Sequence, residues 1–437
     1  MREMKDSGVA WIGKIPINWK IVKLNNVAKR ITDFVASGSF EDLNKNVTYL
    51  DEPDYAMLVR TADLSGTKDK RVYINQHAYE FLNNSNLYGG EIILSNIGSV
   101  GNVFVFSPMY ERSSLAPNAI MIDGCENNKF VYYWFLCPIA NNELKRIGGN
   151  AVQLKFNKTQ LRQFKVLIPP PEIQERIVRY LDRKCSAIDN IISKQEQIIE
   201  KLKEYKLSLI TEAVTKGLDS DVEMKDSGTG FIGMIPRHWN TRKVKGITNR
   251  INVGVVIRPS EYFDENGTVP FLRGINVKEY EFVPDNMVYI SEESNRLLRK
   301  SQVQTGDILV VRDGAIGVSC IVPEEYNGAN VVSMIIIGSH QCFDSQYICY
   351  CLNSAVGKTQ FDITKIGSAL THTSVSSVSN ISIPFPDIEE QKMIVEYLGK
   401  KVKALDVTII KKRDLIEKLN SYKKSLIYEV VTGKKEV

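Results

Sequence analysis

Two stretches of the chain repeat the same spacing of apolar and polar positions. In the first, Leu181, Cys185, Ile188, Ile192, Gln195, Ile199 and Leu202 step by four and three. In the second, Leu398, Val402, Leu405, Ile409, Lys412, Ile416 and Leu419 do the same. A seam of this period, flanked by charges, predicts helices that pair as a coiled coil. A constant shift of 217 residues carries Pro169, Gln174, Tyr180, Asp189 and Lys206 onto Pro386, Gln391, Tyr397, Asp406 and Lys423, so one stretch is a copy of the other. Each copy opens on proline followed by acids: Pro170, Pro171 and Glu172, then Pro386, Asp387 and Glu389. Proline fits the first helical turn, and acids there complement the helix dipole. A helix of about 40 residues is roughly 60 Å long at ~1.5 Å per residue. It needs a partner along its length, and its own copy is the obvious one. Gln195 and Lys412 interrupt the two seams at the same place, either as a polar register lock or as wet positions where the helices splay.

Between these helices the pattern is short, β-rich and also doubled. Residues 4–19 (MKDSGVAWIGKIPINW) and 224–239 (MKDSGTGFIGMIPRHW) match at Gly8, Gly13, Pro16 and Trp19 against Gly228, Gly233, Pro236 and Trp239. These segments are too irregular for a helix and predict an ordered lead-in that docks its tryptophan. Gly90-Glu91-Ile92-Ile93-Leu94 then matches Gly306-Asp307-Ile308-Leu309-Val310. Gly98, Val100 and Gly101 match Gly314, Ile316 and Gly317, which predicts strand, glycine turn, strand. A short aromatic helix follows in each half, Val131–Leu136 and Tyr347–Leu352, then a polar loop and an Ile/Val/Pro run into the long helix.

Composition changes this picture little. The net charge of +5 and pI near 8.6 favour an acidic partner such as nucleic acid without requiring one. No apolar run approaches the ~18 residues of a membrane span. The start Met1-Arg2-Glu3-Met4-Lys5-Asp6 lacks the features of a signal peptide, and seven cysteines without framework spacing point to a reducing cytoplasm.

Several groupings resemble catalytic or metal sites without their chemistry. Gly357-Lys358-Thr359 could end a phosphate-binding loop, but the glycine needed five residues earlier is Leu352. Asp387, Glu390 and Lys392 imitate a nuclease cluster yet fall at a helix start, where acids are expected as caps. His340, Cys342, Cys349 and Cys351 could be imagined on zinc. However, cysteines at i and i+2 of a helix diverge, and the first half carries Tyr133 and Phe135 in their place, as core fillers would. No Asn/Asp-Pro-Pro-Tyr-type tetrapeptide for a flipped adenine is present, nor a glycine-rich cofactor turn, nor a histidine pair for acid–base work.

The doubled MKDSG…IG.IP..W lead-in, the G(D/E)I…G.(V/I)G hairpin and the IP.P…Q..IV.YL helix start, in this order over essentially the whole chain, resemble the DNA-specificity subunits of type I restriction–modification systems. One departure is Val166-Leu167-Ile168-Pro169-Pro170-Pro171 at the first helix start, where the family alternates Ile and Pro. The resemblance implies an α+β chain with two similar mixed α/β target-recognition domains. Two long helices, packed as an antiparallel coiled coil, join them in an internal pseudo-twofold repeat. On this sequence that gives residues 1–168 as the first domain with its lead-in, 169–216 as the first helix and 217–223 as a linker. Residues 224–385 are then the second domain with its lead-in, and 386–437 the second helix and tail. It further implies that each domain reads one half of a split double-stranded DNA target while the helices set the gap. Two methyltransferase subunits dock on the frame for N6-adenine methylation, and restriction/translocase subunits use ATP. S-adenosylmethionine and ATP/Mg then belong to the partners; the chain itself carries no cofactor or metal and catalyses nothing.

Base edges are read by Arg, Lys, Asn, Gln, Ser and Thr held on loops of a rigid scaffold. The polar segments before the long helices supply such residues: Asn150, Gln153, Lys155, Asn157 and Lys158 in the first half, Thr371, His372, Thr373 and Ser374 in the second. The resemblance places these loops near DNA. Arg60 with Lys68, Lys70 and Arg71, then Arg112, Arg273 and Arg312, are secondary candidates, equally readable as solvated charges. From the residues alone, a protein-binding adaptor with two interaction domains on a coiled coil stays open beside the DNA reader.

Overall fold

The computed structural model describes residues 3–67, 69–149, 154–364 and 372–437. The two seams form helices Pro171–Lys216 and Ile388–Val431. Compact packing divides the chain inside both helices. One unit is Met1–Gln195 with Asp414–Val437, and the other is Glu196–Arg413, which contains the 217–223 segment. Each unit therefore holds one β-rich domain and about half of each long helix.

In the first unit the lead-in is a small β-hairpin, Met4–Asp6 against Lys14–Pro16. Trp19 follows, fully buried. An antiparallel sheet runs in the order Arg30–Asp33, Ala119–Asp123, Ile92–Ser95, Val103–Val105. Its central strands are apolar at every position before their final Asp123 and Ser95 because both faces are covered. Ile92, Leu94, Ile120 and Ile122 face the helical core, whereas Ile93, Ala119 and Met121 face a second sheet. That second sheet pairs Ala56–Val59 in parallel with Ser113–Leu115. The aromatic helix is Asn128–Leu136, starting earlier than its apolar run because Asn127 caps the Phe130 N–H at 3.0 Å. A further helix, Pro138–Ile147, occupies part of the expected polar loop.

The helical core joins Ile177, Leu181, Cys185 and Ile188 to Leu426, Ile427, Val430 and Val431. The two helical pieces run antiparallel: Arg176 donates to the Val437 carbonyl, while Asp189 pairs with Lys423 at 2.6 Å. Gln174, almost wholly buried, donates to the Pro169 carbonyl at 3.0 Å and so closes the proline turn ahead of the helix.

The second unit repeats this construction. Met224–Asp226 pairs with Met234–Pro236, and Trp239 is buried with its indole N–H on Glu390 Oε2 at 2.8 Å. The sheet order is Ile251–Val253, Met334–Ile337, Ile308–Val311, Ser319–Ile321. Beside it, Val269–Leu272 runs parallel to Asn330–Val331. The aromatic helix is Ser345–Asn353. Set against Asn128–Leu136, it aligns Cys349 and Cys351 with Tyr132 and Trp134, one residue from the expected Tyr133 and Phe135; aromatic core residues still stand in their place. The Cys349 thiol donates to the Ser319 carbonyl and that of Cys342 to the Ile247 carbonyl, both at 3.2 Å. Gly357, Lys358 and Thr359 lie inside helix Ala355–Thr364, and Lys358 pairs with Glu279 at 2.7 Å. Asp387 caps the Glu390 N–H at 2.9 Å.

Ile210, Ala213 and Val214 share a core with Ile394, Leu398 and Val402, beside a Lys206–Asp406 ion pair at 2.7 Å. The 217-residue repeat carries Asp189 and Lys423 of the first unit onto Asp406 and Lys206 of the second, so each ion pair is the other's copy with the helices exchanged. Of the two polar seam residues, Gln195 is half-buried. Its side-chain carbonyl is enclosed and has no hydrogen-bond partner among the described residues.

Candidate nucleic-acid interface

In the first unit, strand Ile92–Ser95 ends in the turn Asn96–Gly101. Gly101 has φ +100°, and a Cβ there would sit 2.7 Å from the Asn141 amide oxygen, so the turn needs glycine to lie on helix Pro138–Ile147. The pre-helix loop clips onto this turn. Phe156 N–H donates to the Asn96 carbonyl and the Asn96 side-chain amide donates back to the Phe156 carbonyl, each at 3.1 Å. Lys155 bridges Ile97, and Gly98 N–H reaches the Leu154 carbonyl at 3.2 Å. Asn118, in the left-handed region at φ 70°, accepts from Asn96 N–H at 3.2 Å. Asparagine tolerates that conformation better than most side chains.

This end of the sheets collects several of the expected residues. The Lys155 side chain is exposed and makes no hydrogen bond or ion pair with the described residues. Asn157 spends its side chain on a capping box with Gln160, both bonds 2.9 Å. Lys158 is paired with Asp33 at 2.7 Å. Arg60, at the end of Ala56–Val59, is forked onto Asp63 at 2.6 and 2.9 Å, and this bond pushes its already high pKa further up. Arg112 is not brought here. It starts the strand parallel to Ala56–Val59 and so lies at the opposite end from Arg60, stacked 4.5 Å over the Tyr55 ring. Lys68, Asn150 and Gln153 lie outside the described residues.

The second unit builds the same frame with different side chains. Gly317, at φ +86°, packs so closely on Phe361 that a Cβ would come within 2.4 Å. Asp313 bridges His372; Thr373 N–H donates to the Arg312 carbonyl at 3.1 Å, and Arg312 Nε donates to the Thr373 carbonyl at 3.2 Å. Ser333, left-handed at φ 46°, stands where Asn118 does and donates to Asp313 Oδ2 at 2.7 Å. Arg273 follows strand Val269–Leu272 as Arg60 follows its own, and its guanidinium is taken by the Asn286 carbonyl. Ser374 caps helix Val375–Ser379 at 3.0 Å, Thr373 is fully buried, and His372 is half-exposed. Thr371 lies outside the described residues. Ile257, 80 % exposed, projects from the loop after Ile251–Val253, and Phe40, 77 % exposed, opens the short helix Phe40–Asn46 in the first unit.

Asn96, Asn118, Asp313 and Ser333 were not legible as site residues. Pro117-Asn118 carries a turn signal, but nothing local says that the turn abuts the pre-helix loop. Among the described residues, no three His, Cys, Asp or Glu side chains gather as a metal set would. No helix among them is long and apolar enough to cross a membrane.

Two like domains, each offering a polar edge built from a glycine turn and a loop, and two long paired helices define a two-domain recognition protein on a helical frame. The family profile described as "Type I restriction modification DNA specificity domain" matches residues 16–204 and again 236–419, and the chain belongs to that family. It is 27% identical over 436 residues to a Methanocaldococcus jannaschii protein designated a type I restriction enzyme specificity subunit, MjaX, covering 97% of this chain and 95% of that one. It is 25% identical over 430 residues to the MjaVIII specificity subunit of the same organism, covering 96% and 94%. A chain in a solved structure of the type I R-M system has this fold, with a TM-score of 0.69 at 13% identity, covering 96% of this chain and 99% of that one.

Proposed function

We propose that this chain is the DNA-recognition subunit of a type I restriction–modification complex, acting in the cytoplasm and catalysing nothing itself. Each domain reads one part of a split duplex target through the edge where hairpin turn and pre-helix loop meet. One observation carries this reading. The two edges share a backbone frame but present different chemistry at its open position, Lys155 in the first unit against His372 in the second. A frame kept while its reading groups change is what two different half-sites demand. Methylation and cleavage fall to partner subunits, which bring S-adenosylmethionine, ATP and Mg. Apolar residues left exposed on the long helices, Leu415 and Tyr422 in the first unit and their repeat counterparts Ile198 and Tyr205 in the second, support two methyltransferase subunits docking, one on each pair. The continuous helices act as the spacer.

The test is selection from a randomised duplex pool by the chain with its methyltransferase partner, repeated across salt concentrations. A two-part motif and a steep negative salt slope are expected. Binding without base preference, or capture of protein partners alone, would favour an adaptor. Exchanging residues 20–168 for a relative's should change one part of the motif only.

A further inference from the structure

The clasp between turn and loop is made by unlike residues at equivalent places. The hairpins align at a shift of 216, which pairs Asn96 with Arg312; the loops align at 217, which pairs Phe156 with Thr373. In both units the loop residue's N–H goes to the turn residue's carbonyl, and the turn residue's side chain returns a bond to the loop residue's carbonyl. An amide does this in one case and a guanidinium in the other. What recurs is the bond, not the side chain. Asn96 is 9% exposed, too enclosed to reach a base itself. Phe156 and Thr373 are buried, so they anchor the loop and leave Lys155 and His372, one residue earlier, on the open side. The clasp fixes a carbonyl that would otherwise be free to rotate, and with it the direction of the neighbouring side chains. Contact geometry displaced by 1 Å forfeits a bidentate base contact.

We propose that Asn96 and Arg312 are positioning residues for target recognition: each holds its domain's reading loop in register through one side-chain hydrogen bond, without itself reading a base. This rests on the DNA-reading function proposed above. Arg312 is the harder case. Its terminal nitrogens have no protein partner among the described residues, so a phosphate contact is the rival role.

Four variants of the full chain, each with its methyltransferase partner, separate the roles: Arg312→Ala, Arg312→Asn, Asn96→Ala and Asn96→Asp. The probe is a randomised duplex pool, read as base preference in each part of the motif. Arg312→Ala is expected to lose roughly tenfold or more of its preference in one part and none in the other, the scale of one mismatched base pair. Arg312→Asn, which installs the first unit's residue, restores it. Asn96→Ala and Asn96→Asp lose preference in the other part, Asp more strongly because its carboxylate opposes a carbonyl. The proposal is overturned if Arg312→Asn behaves as Arg312→Ala while the salt slope falls by about one in both, as loss of a phosphate contact requires. It is also overturned if no variant changes preference, or if each changes both parts. Thermal unfolding of each variant guards against collapse: a merely structural role would lower stability without confining the loss to one part. A wild-type chain that selects no motif sinks the DNA-reading function itself.

Discussion

Asp307 is the acid of the Gly-Asp-Ile hairpin motif and is wholly buried. Its Oδ2 accepts from Gln304 N–H at 2.7 Å and from the Arg250 guanidinium, and its Oδ1 accepts from Ser339 N–H at 3.0 Å. Asp307→Asn leaves one oxygen for these donors and turns an N–H of its own towards another. Breaking a buried ion pair from one side costs ~3–5 kcal/mol. Arg250 keeps 30% of its side-chain exposure, so water recovers part of that loss. A cost of about 2–4 kcal/mol remains, which at ~1.36 kcal/mol per decade is roughly 30- to 900-fold in an opening equilibrium. Native-state hydrogen exchange reads it directly: the slowest amides of Ile308–Val311 and Met334–Ile337 should accelerate by that factor, while Ile92–Ser95 is unmoved. Glu91, the matching acid, accepts from Tyr88 and Gly89 N–H at 2.7 and 2.8 Å, but its nearest cation, Arg30, stands at 3.9 Å. Glu91→Gln should therefore cost only about 1–2 kcal/mol, confined to the first unit. Acceleration below roughly threefold in Asp307→Asn, or equal loss in both units, would refute the argument, since one decade is ~1.36 kcal/mol.

Four further outcomes are expected. Trp239→Phe removes a bond to a carboxylate and should destabilise the second unit by about 1.5–2 kcal/mol in denaturant titration. Burial pushes the thiols of Cys137 and Cys349 up to about 12, and those of Cys320 and Cys351 higher still, so iodoacetamide at pH 8 should label none of the four until the chain is unfolded, as mass spectrometry would report. A double-mutant cycle should give about 0.5–1 kcal/mol for Lys206–Asp406, with less for the more exposed Asp189–Lys423. Seven residues inserted after both Gln195 and Lys412 keep the seam in phase and add ~10 Å, about three base pairs at ~3.4 Å each. The selected gap should lengthen with both half-sites unchanged, and an unchanged gap in an active variant would show that the helices do not set it.

The long helices were legible because a seam of seven-residue period, written twice, leaves one reading; Leu181, Ile188, Leu398 and Val402 are buried where it says. The hairpins were legible because Gly98, Gly101, Gly314 and Gly317 mark their turns, and all four have positive φ. The lead-in's two strands were not, since three residues apiece carry too little periodicity. Nor were the parallel pairs Ala56–Val59 with Ser113–Leu115 and Val269–Leu272 with Asn330–Val331, whose partners lie some sixty residues apart and are chosen by packing. The candidate site was half visible for the same reason. Residue type suggested Lys155, Asn157 and Arg312, but only the folded chain shows Asn157 committed to a cap and Arg312 bound through Nε to a loop sixty residues on.

The division of the chain within its helices also sets a timetable for synthesis. The second unit is one unbroken segment, Glu196–Arg413, and can close soon after its last residue leaves the ribosome. The first is made earlier but cannot finish: the core around Ile177, Leu181 and Ile188 waits for Leu426, Ile427 and Val430. At about 5–20 residues per second, those arrive some 10–50 s later. During that interval the first-made domain carries an uncovered apolar helix face, and the last-made domain is the first to be complete. Slowing translation downstream of Gln195 should therefore lower the yield of soluble chain more than slowing it upstream, with the nascent first unit the species that chaperones hold.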